Sequence, residues 1–186
     1  MNTIKMETSD FNSVIRIAIT GPESTGKSSL CEALANHYNT LWVPEYAREY
    51  CEKLGRDYVE DDIAIIAKKQ LEIEEEYASR ANGFLFIDTD LNVPLIWGLH
   101  KYSRNDAWLE QIYKSHIYPL VLLTDIDLPW EFDPLREYPD QRNFFFTWFV
   151  KLLKQQNANY HVIGGEGDNR LFNAVQVIEN WINESR

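Results

Sequence analysis

Eight residues constrain this chain more than any others: GPESTGKS, Gly21 to Ser28. They fit the pattern G-x-x-x-x-G-K-[ST], a loop that wraps phosphate with backbone N–H groups. Their surroundings carry as much weight as the pattern. Before them, Val14 to Thr20 is an apolar run rich in β-branched residues, which reads as a buried strand. After them, Leu30, Ala33, Leu34, His37 and Tyr38 recur at helical spacing. A strand, a glycine-rich turn and a helix in this order belong to a parallel α/β sheet, with the loop at the strand's carboxyl end.

The rest of the chain repeats the alternation. Leu41 to Val43 is a short strand closed by Pro44, and FLFIDTD, LVLLTDID and YHVIGG read as three further strands. Ile63, Ile66, Ala67, Leu71, Tyr77 and Ala78 mark a helix. Asp61 and Asp62 suit its positive end, and Asn82-Gly83 suits its stop. Its run Glu74-Glu75-Glu76 reads as a solvated face. AWLEQIYKSH and QRNFFFTWFVKLLKQQ are helical, the second with a stripe of Phe145, Trp148, Phe149, Leu152 and Leu153. Leu171, Ala174, Val175, Ile178, Trp181 and Ile182 mark the last helix. The expected class is α/β, three layers, with a parallel sheet covered by helices on both faces. Residues 1–13 are expected to form a flexible tail ahead of a single domain, 14–186.

Composition excludes several classes. The net charge is −11, and an acidic surface repels a phosphate backbone, which argues against nucleic acid as a partner. An anionic nucleotide can bind only where positive side chains gather locally. Cys31 and Cys51 make no disulfide framework and read as small packed residues in helices. With no apolar leader and no run long enough to span a membrane, a reducing, cytoplasmic compartment and no membrane partner are expected. Nothing in the sequence assigns an oligomeric state.

In a sheet of this kind ligands bind beyond the carboxyl ends of the strands. The loops there carry Gly21 to Lys27, Glu45, Asp88 to Asp90, Asp125 to Asp127 and Gly164-Gly165. Lys27 is placed to reach the β- and γ-phosphates of a nucleoside triphosphate, and the Ser28 hydroxyl to hold Mg²⁺. Asp88, closing FLFID, is the candidate second anchor for the metal. Asp90 could bind a substrate hydroxyl or assist the metal. Glu45, directly after the second strand, is the candidate general base, and Arg48 could hold the substrate or steady Glu45. The segment of about 125–142 is rich in proline and carries Arg136 and Arg142, the candidates for stabilising a phosphoryl group in flight beneath a closing lid. GGEGDNR lies where a loop could wrap an adenine ring, although Arg170 also reads as a residue on the last helix's first turn.

A GTPase would carry Asn-Lys-x-Asp and Asp-x-x-Gly; the first is missing and the second position reads DTDL. A large AAA-type machine does not suit the length. A small P-loop kinase fold does. GPESTGKSSL, VPEYAREY, FIDTD and LPWEFDPLR, in this order, resemble the ribosylnicotinamide kinase domain of the bacterial NadR family, from about Val14 onward. That resemblance implies ATP-dependent phosphorylation of nicotinamide riboside, in NAD biosynthesis, with ATP and Mg²⁺ as cofactors. It implies ATP binding by Gly21, Glu23, Ser24, Thr25, Gly26, Lys27, Ser28 and Ser29. It places the acceptor near Glu45, Tyr46, Arg48, Asp88 and Asp90. Tyr46 or Trp97 is the candidate to stack on its cationic ring, though Trp97 reads first as core. The multidomain members also carry a helix-turn-helix and an adenylyltransferase domain. No His-x-Gly-His is present, so neither of those activities is expected. A kinase of another nucleoside or small metabolite, or an ATP-binding switch without catalysis, are the alternatives.

Overall fold

The computed structural model describes residues 14–185, so the expected N-terminal tail lies outside the described residues. Five strands form one sheet: β1 (Ile15–Thr20), β2 (Leu41–Val43), β3 (Phe84–Asp88), β4 (Leu120–Thr124) and β5 (Tyr160–Ile163). Their order is β2-β3-β1-β4-β5, and every pairing is parallel. Among the described residues seven α-helices connect or follow them: α1 (Lys27–His37), α2 (Tyr46–Leu54), α3 (Glu60–Ala78), α4 (Asn92–Tyr102), α5 (Ala107–Ser115), α6 (Arg142–Gln155) and α7 (Asp168–Glu184).

The period of two along each strand sorts the core into two halves. Ala18, Leu85, Ile87, Val121 and Leu123 face α3, α4, α5 and α6. Ile17, Ile19, Phe86, Leu120 and Leu122 face α1 and α7. This is the three-layer arrangement that the continuous apolar strands predict. β5 departs from it: it is an edge strand, and His161 and Val162 are exposed.

Three local expectations need correction. In α1, Cys31 and Ala35 are buried beside Leu30 and Leu34, whereas His37 is exposed at the helix end. Residues 92–102 form a helix, α4, that the sequence reading left unassigned. The run Glu74-Glu75-Glu76 is not wholly solvated, because Glu74 is 0 % exposed. A buried carboxylate needs partners, and Glu74 has them: it accepts from Arg16 at 3.1 Å and from the Tyr118 hydroxyl at 2.8 Å. It therefore ties α3 to β1 and to the approach to β4.

Candidate active site

Because all strands run parallel, all five carboxyl ends meet at one sheet edge. A cavity of about 650 Å³ opens there, a size typical of small-molecule sites. The phosphate loop forms one wall. Gly21 has φ 142°, and a Cβ at that position would meet the Thr124 hydroxyl oxygen at 2.5 Å, so only glycine fits against β4. Thr25 turns inward, its hydroxyl 2.7 Å from the Pro22 carbonyl oxygen and 2.7 Å from the Thr124 hydroxyl. Gly26 occupies the N-cap of α1, which has no side-chain cap and no acid in its first turn. The helix's leading amides and its positive dipole end are thus free for an anion. Lys27 reaches back along the loop and donates to the carbonyls of Gly21 at 3.1 Å and Pro22 at 2.9 Å. Ser28 and Ser29 are exposed on the first turn.

The side chains of Glu23 and Ser24 depart from the expected ATP-binding role. The Ser24 hydroxyl accepts the Glu131 N–H at 2.8 Å and Arg136 at 3.3 Å. The Glu23 carboxylate accepts the N–H groups of Glu137 and Tyr138 at 3.1 and 3.3 Å. Both side chains are therefore spent on the 125–142 segment, and only their backbone is left for phosphate.

The acids lie opposite. Asp88 closes β3 and is 1 % exposed. Burial pushes its carboxyl up from 3.8 to about 6; the charge of Glu45 adds to the rise, while Lys27 and the Ser28 hydroxyl oppose it. Asp88, Glu45, Lys27 and Ser28 thus form one electrostatic unit. Glu45 is half-buried, occupies the N-cap position of α2 without a side-chain cap bond, and lines the cavity. Asp90 also lines the cavity, but it is buried and engaged. It accepts from Thr20 at 2.7 Å and from the backbone and side chain of Asn92 at 3.0 and 2.5 Å. Burial raises its pKa and these donors oppose the shift. Between the two acids Thr89 has φ 77°, a conformation that costs a β-branched residue of order 1–3 kcal/mol.

Arg48 lines the cavity and pairs with Asp133 of the 125–142 segment at 2.9 Å. Arg142 donates to the carbonyls of Leu128 and Ser24 at 2.8 and 3.3 Å, and Arg136 to that of Glu131 at 2.6 Å. Both arginines line the cavity. Although the chain carries a net charge of −11, Lys27, Arg48, Arg136, Arg142 and Arg170 converge here. Arg170 does sit on the first turn of α7, where it pins the phosphate loop through the Thr25 carbonyl at 2.9 Å and pairs with Asp127.

Two expected residues do not line the cavity: Asp88, which is buried beside Ser28, and Tyr46. The Tyr46 ring packs toward Tyr50, with centroids 6.0 Å apart, and its N–H is held by Gln70 at 2.8 Å. The aromatic wall comes from Tyr58, Trp97, Tyr138 and Phe145. Trp97 is both core and wall: it packs on the core and stacks on Tyr138 at 5.3 Å and 24°. Gln70 is a residue the sequence reading missed. From α3 it also donates to the carbonyls of Pro44 at 3.2 Å and Asp88 at 3.5 Å, joining the ends of β2 and β3. Its signal was available: Ile63, Ala67, Gln70 and Glu74 share one buried helical stripe, and two of the four are polar.

The comparisons with known proteins agree with this architecture. The chain is 29 % identical over 178 residues to the trifunctional NAD biosynthesis/regulator protein NadR of Salmonella typhimurium, covering 90 % of the chain and 43 % of that protein. NadR of Escherichia coli is 28 % identical over 180 residues, covering 91 % and 43 %. The chain thus spans less than half the length of these relatives. Among solved structures, NadR in complex with NR superposes with a TM-score of 0.77 at 21 % identity, over 92 % of this chain and 52 % of that one. Thymidylate kinase from Ehrlichia chaffeensis gives 0.63 at 14 %, over 90 % and 98 %. The fold is therefore shared with NadR and with thymidylate kinase, and the chain is similar in sequence to about two fifths of NadR. A model described as AAA domain matches residues 16–170, most of the sequence, which corrects the expectation against AAA-type proteins drawn from length, and the chain belongs to that family.

Proposed function

We propose that the protein is an ATP-dependent kinase of a small nucleoside, with nicotinamide riboside as acceptor and nicotinamide mononucleotide as product. One observation carries the reading. The phosphate loop and an aromatic, acid-lined wall meet in one cavity, with the free carboxylate of Glu45 on its lining. The names of the relatives, and the neighbour solved with NR, support the choice of acceptor.

In this reading the loop amides and Lys27 hold the ATP phosphates. NadR solved in complex with NAD and AMP-PNP, which superposes with a TM-score of 0.74 at 20 % identity over 92 % of this chain and 50 % of that one, supports a nucleotide in this fold. Ser28 and Asp88 offer the hard oxygen ligands that Mg²⁺ takes alongside phosphate, and they fall in the same electrostatic unit. When bound, the ion neutralises charge on the phosphoryl group. Glu45 accepts the proton of the acceptor hydroxyl as its oxygen bonds to the γ-phosphorus and the bond to the ADP oxygen breaks. Arg136 and Arg142 supply positive charge to the transferring group from a lid spanning about 125–142, and closure excludes water. Arg48 and Asp90 border the acceptor. Tyr46 acts only through its backbone, and stacking passes to Trp97 and Tyr138. A pyridinium ring between acids and aromatic faces gains charge attraction and cation–π contact.

Lys27→Ala tests the core of this scheme. Its melting curve should stay within a few degrees of wild type, while product formation from ATP and nicotinamide riboside, followed by mass spectrometry, disappears. Wild-type turnover in that variant would remove the phosphate loop from the mechanism.

A further inference from the structure

Glu23 is an acid inside a loop built to hold phosphate, where a negative charge opposes the ligand. Its geometry resolves the conflict. The carboxylate turns out of the loop and accepts two consecutive N–H groups, Glu137 at 3.1 Å and Tyr138 at 3.3 Å. Burial raises its pKa; the Tyr138 and Glu137 amides and the Lys27 charge oppose the rise. Tyr138 does not end the chain of contacts. Its ring stacks on Trp97 at 5.3 Å and meets Phe145 at 5.5 Å and His100 at 4.9 Å, edge-on.

The two faces of the sheet give the direction of this coupling. The phosphate loop leads into α1, which packs with α7 on one face. Trp97 and Phe145 belong to α4 and α6 on the other. Both sets line the one cavity. We propose that Glu23 is a positioning residue, which sets the aromatic wall of the acceptor half from within the phosphate loop. This rests on the kinase reading above. The Glu23 side chain touches neither reactant: it fixes the backbone of residues 137–138, and through it the Tyr138 ring against Trp97. The ligand class that gains is an acceptor with a flat ring, and the step affected is acceptor binding.

The test compares Glu23→Ala and Glu23→Gln in the full chain with two readouts. The first is the KM for nicotinamide riboside and for ATP. Glu23→Ala should raise the acceptor KM about tenfold, the size of one lost charge-assisted hydrogen bond, and more than it raises the ATP KM. Glu23→Gln keeps an acceptor oxygen and should recover part of the loss. The second readout is amide exchange without ligand, where Glu137 and Tyr138 should exchange faster in Glu23→Ala than in wild type. Equal rises in both KM values, or no recovery with Gln, would mean that Glu23 serves the phosphate loop alone and would overturn the proposal. Unchanged exchange at 137–138 would overturn it even if wild type phosphorylated no nucleoside. That last result in wild type would count against the kinase reading instead.

Discussion

Asp88→Asn should stabilise the ligand-free protein at neutral and alkaline pH while destroying its activity. Asp88 is 1 % exposed, and its carboxyl is pushed up from 3.8 to about 6, by burial first and by Glu45 second. Below the unfolded value both states carry the proton, and nothing is lost. Between 3.8 and about 6 the unfolded state gives up this proton while the folded state keeps it, so stability falls across that window and the loss is complete once the folded carboxyl ionises above about 6. At about 1.4 kcal/mol per unit, the full shift costs about 3 kcal/mol. Asparagine imitates the neutral acid in shape and escapes the cost. Urea unfolding of wild type and variant should therefore differ by about 3 kcal/mol near pH 8, and by about half that near pH 5. The variant should be inactive at both, since an amide is a poor magnesium ligand. A stability difference that does not vary with pH, or a less stable variant, would refute the reasoning: Asp88 would then be a satisfied ion whose charge the fold prefers.

Two further expectations can be checked with the same protein. Glu45→Gln should lower kcat by ~10²-fold or more if Glu45 takes the acceptor's proton; a change confined to acceptor KM would make it a binding residue and move the base to Asp90 or Asp88. Arg48→Ala should cost at most ~1 kcal/mol of stability, as expected for a half-exposed pair, yet it should speed amide exchange across residues 128–136, because the pair with Asp133 anchors that segment; exchange there should slow when ATP and acceptor bind together, and no slowing at saturation would count against a lid.

The sheet was legible because its strands are buried on both faces and so read as apolar runs. The phosphate loop was legible because its glycines answer a local demand, the positive φ that Gly21 and Gly26 adopt, the second at the N-cap of α1. Helix α4 was not. Pro94 and Gly98 look like breakers in LNVPLIWGLHKY. Pro94 is tolerated because it lies in the first turn, where no intrahelical amide is needed. Gly98 gives room to the Asn105 side chain, which a Cβ there would displace from its bond to the Leu95 carbonyl, and the Arg104 carbonyl lies 3.1 Å from that Cβ position; no sequence signal marks either contact. The same limit hid the roles of Glu23, Ser24 and Tyr46. A loop motif states which backbone bends, and leaves open where each side chain turns. For Glu23 and Ser24 that depended on residues more than a hundred positions away, in the 125–142 segment, and for Tyr46 on Tyr50 and Gln70. Glu74 was misread for a related reason. Three consecutive acids sit on different sides of a helix, so one of them can be buried while its neighbours are solvated.

The measurement that bears most directly on the central claim is kcat/KM for a panel of nucleosides with ATP and Mg²⁺, read by direct detection of the phosphorylated product. The account predicts that nicotinamide riboside exceeds uridine and thymidine by about a hundredfold or more, since an uncharged ring forfeits both the charge attraction of Glu45 and its neighbours and the cation–π contact with Trp97 and Tyr138. Uridine, thymidine or a deoxynucleoside as the better substrate would contradict the assigned acceptor, and ATP binding without phosphorylation of any nucleoside would contradict the kinase itself.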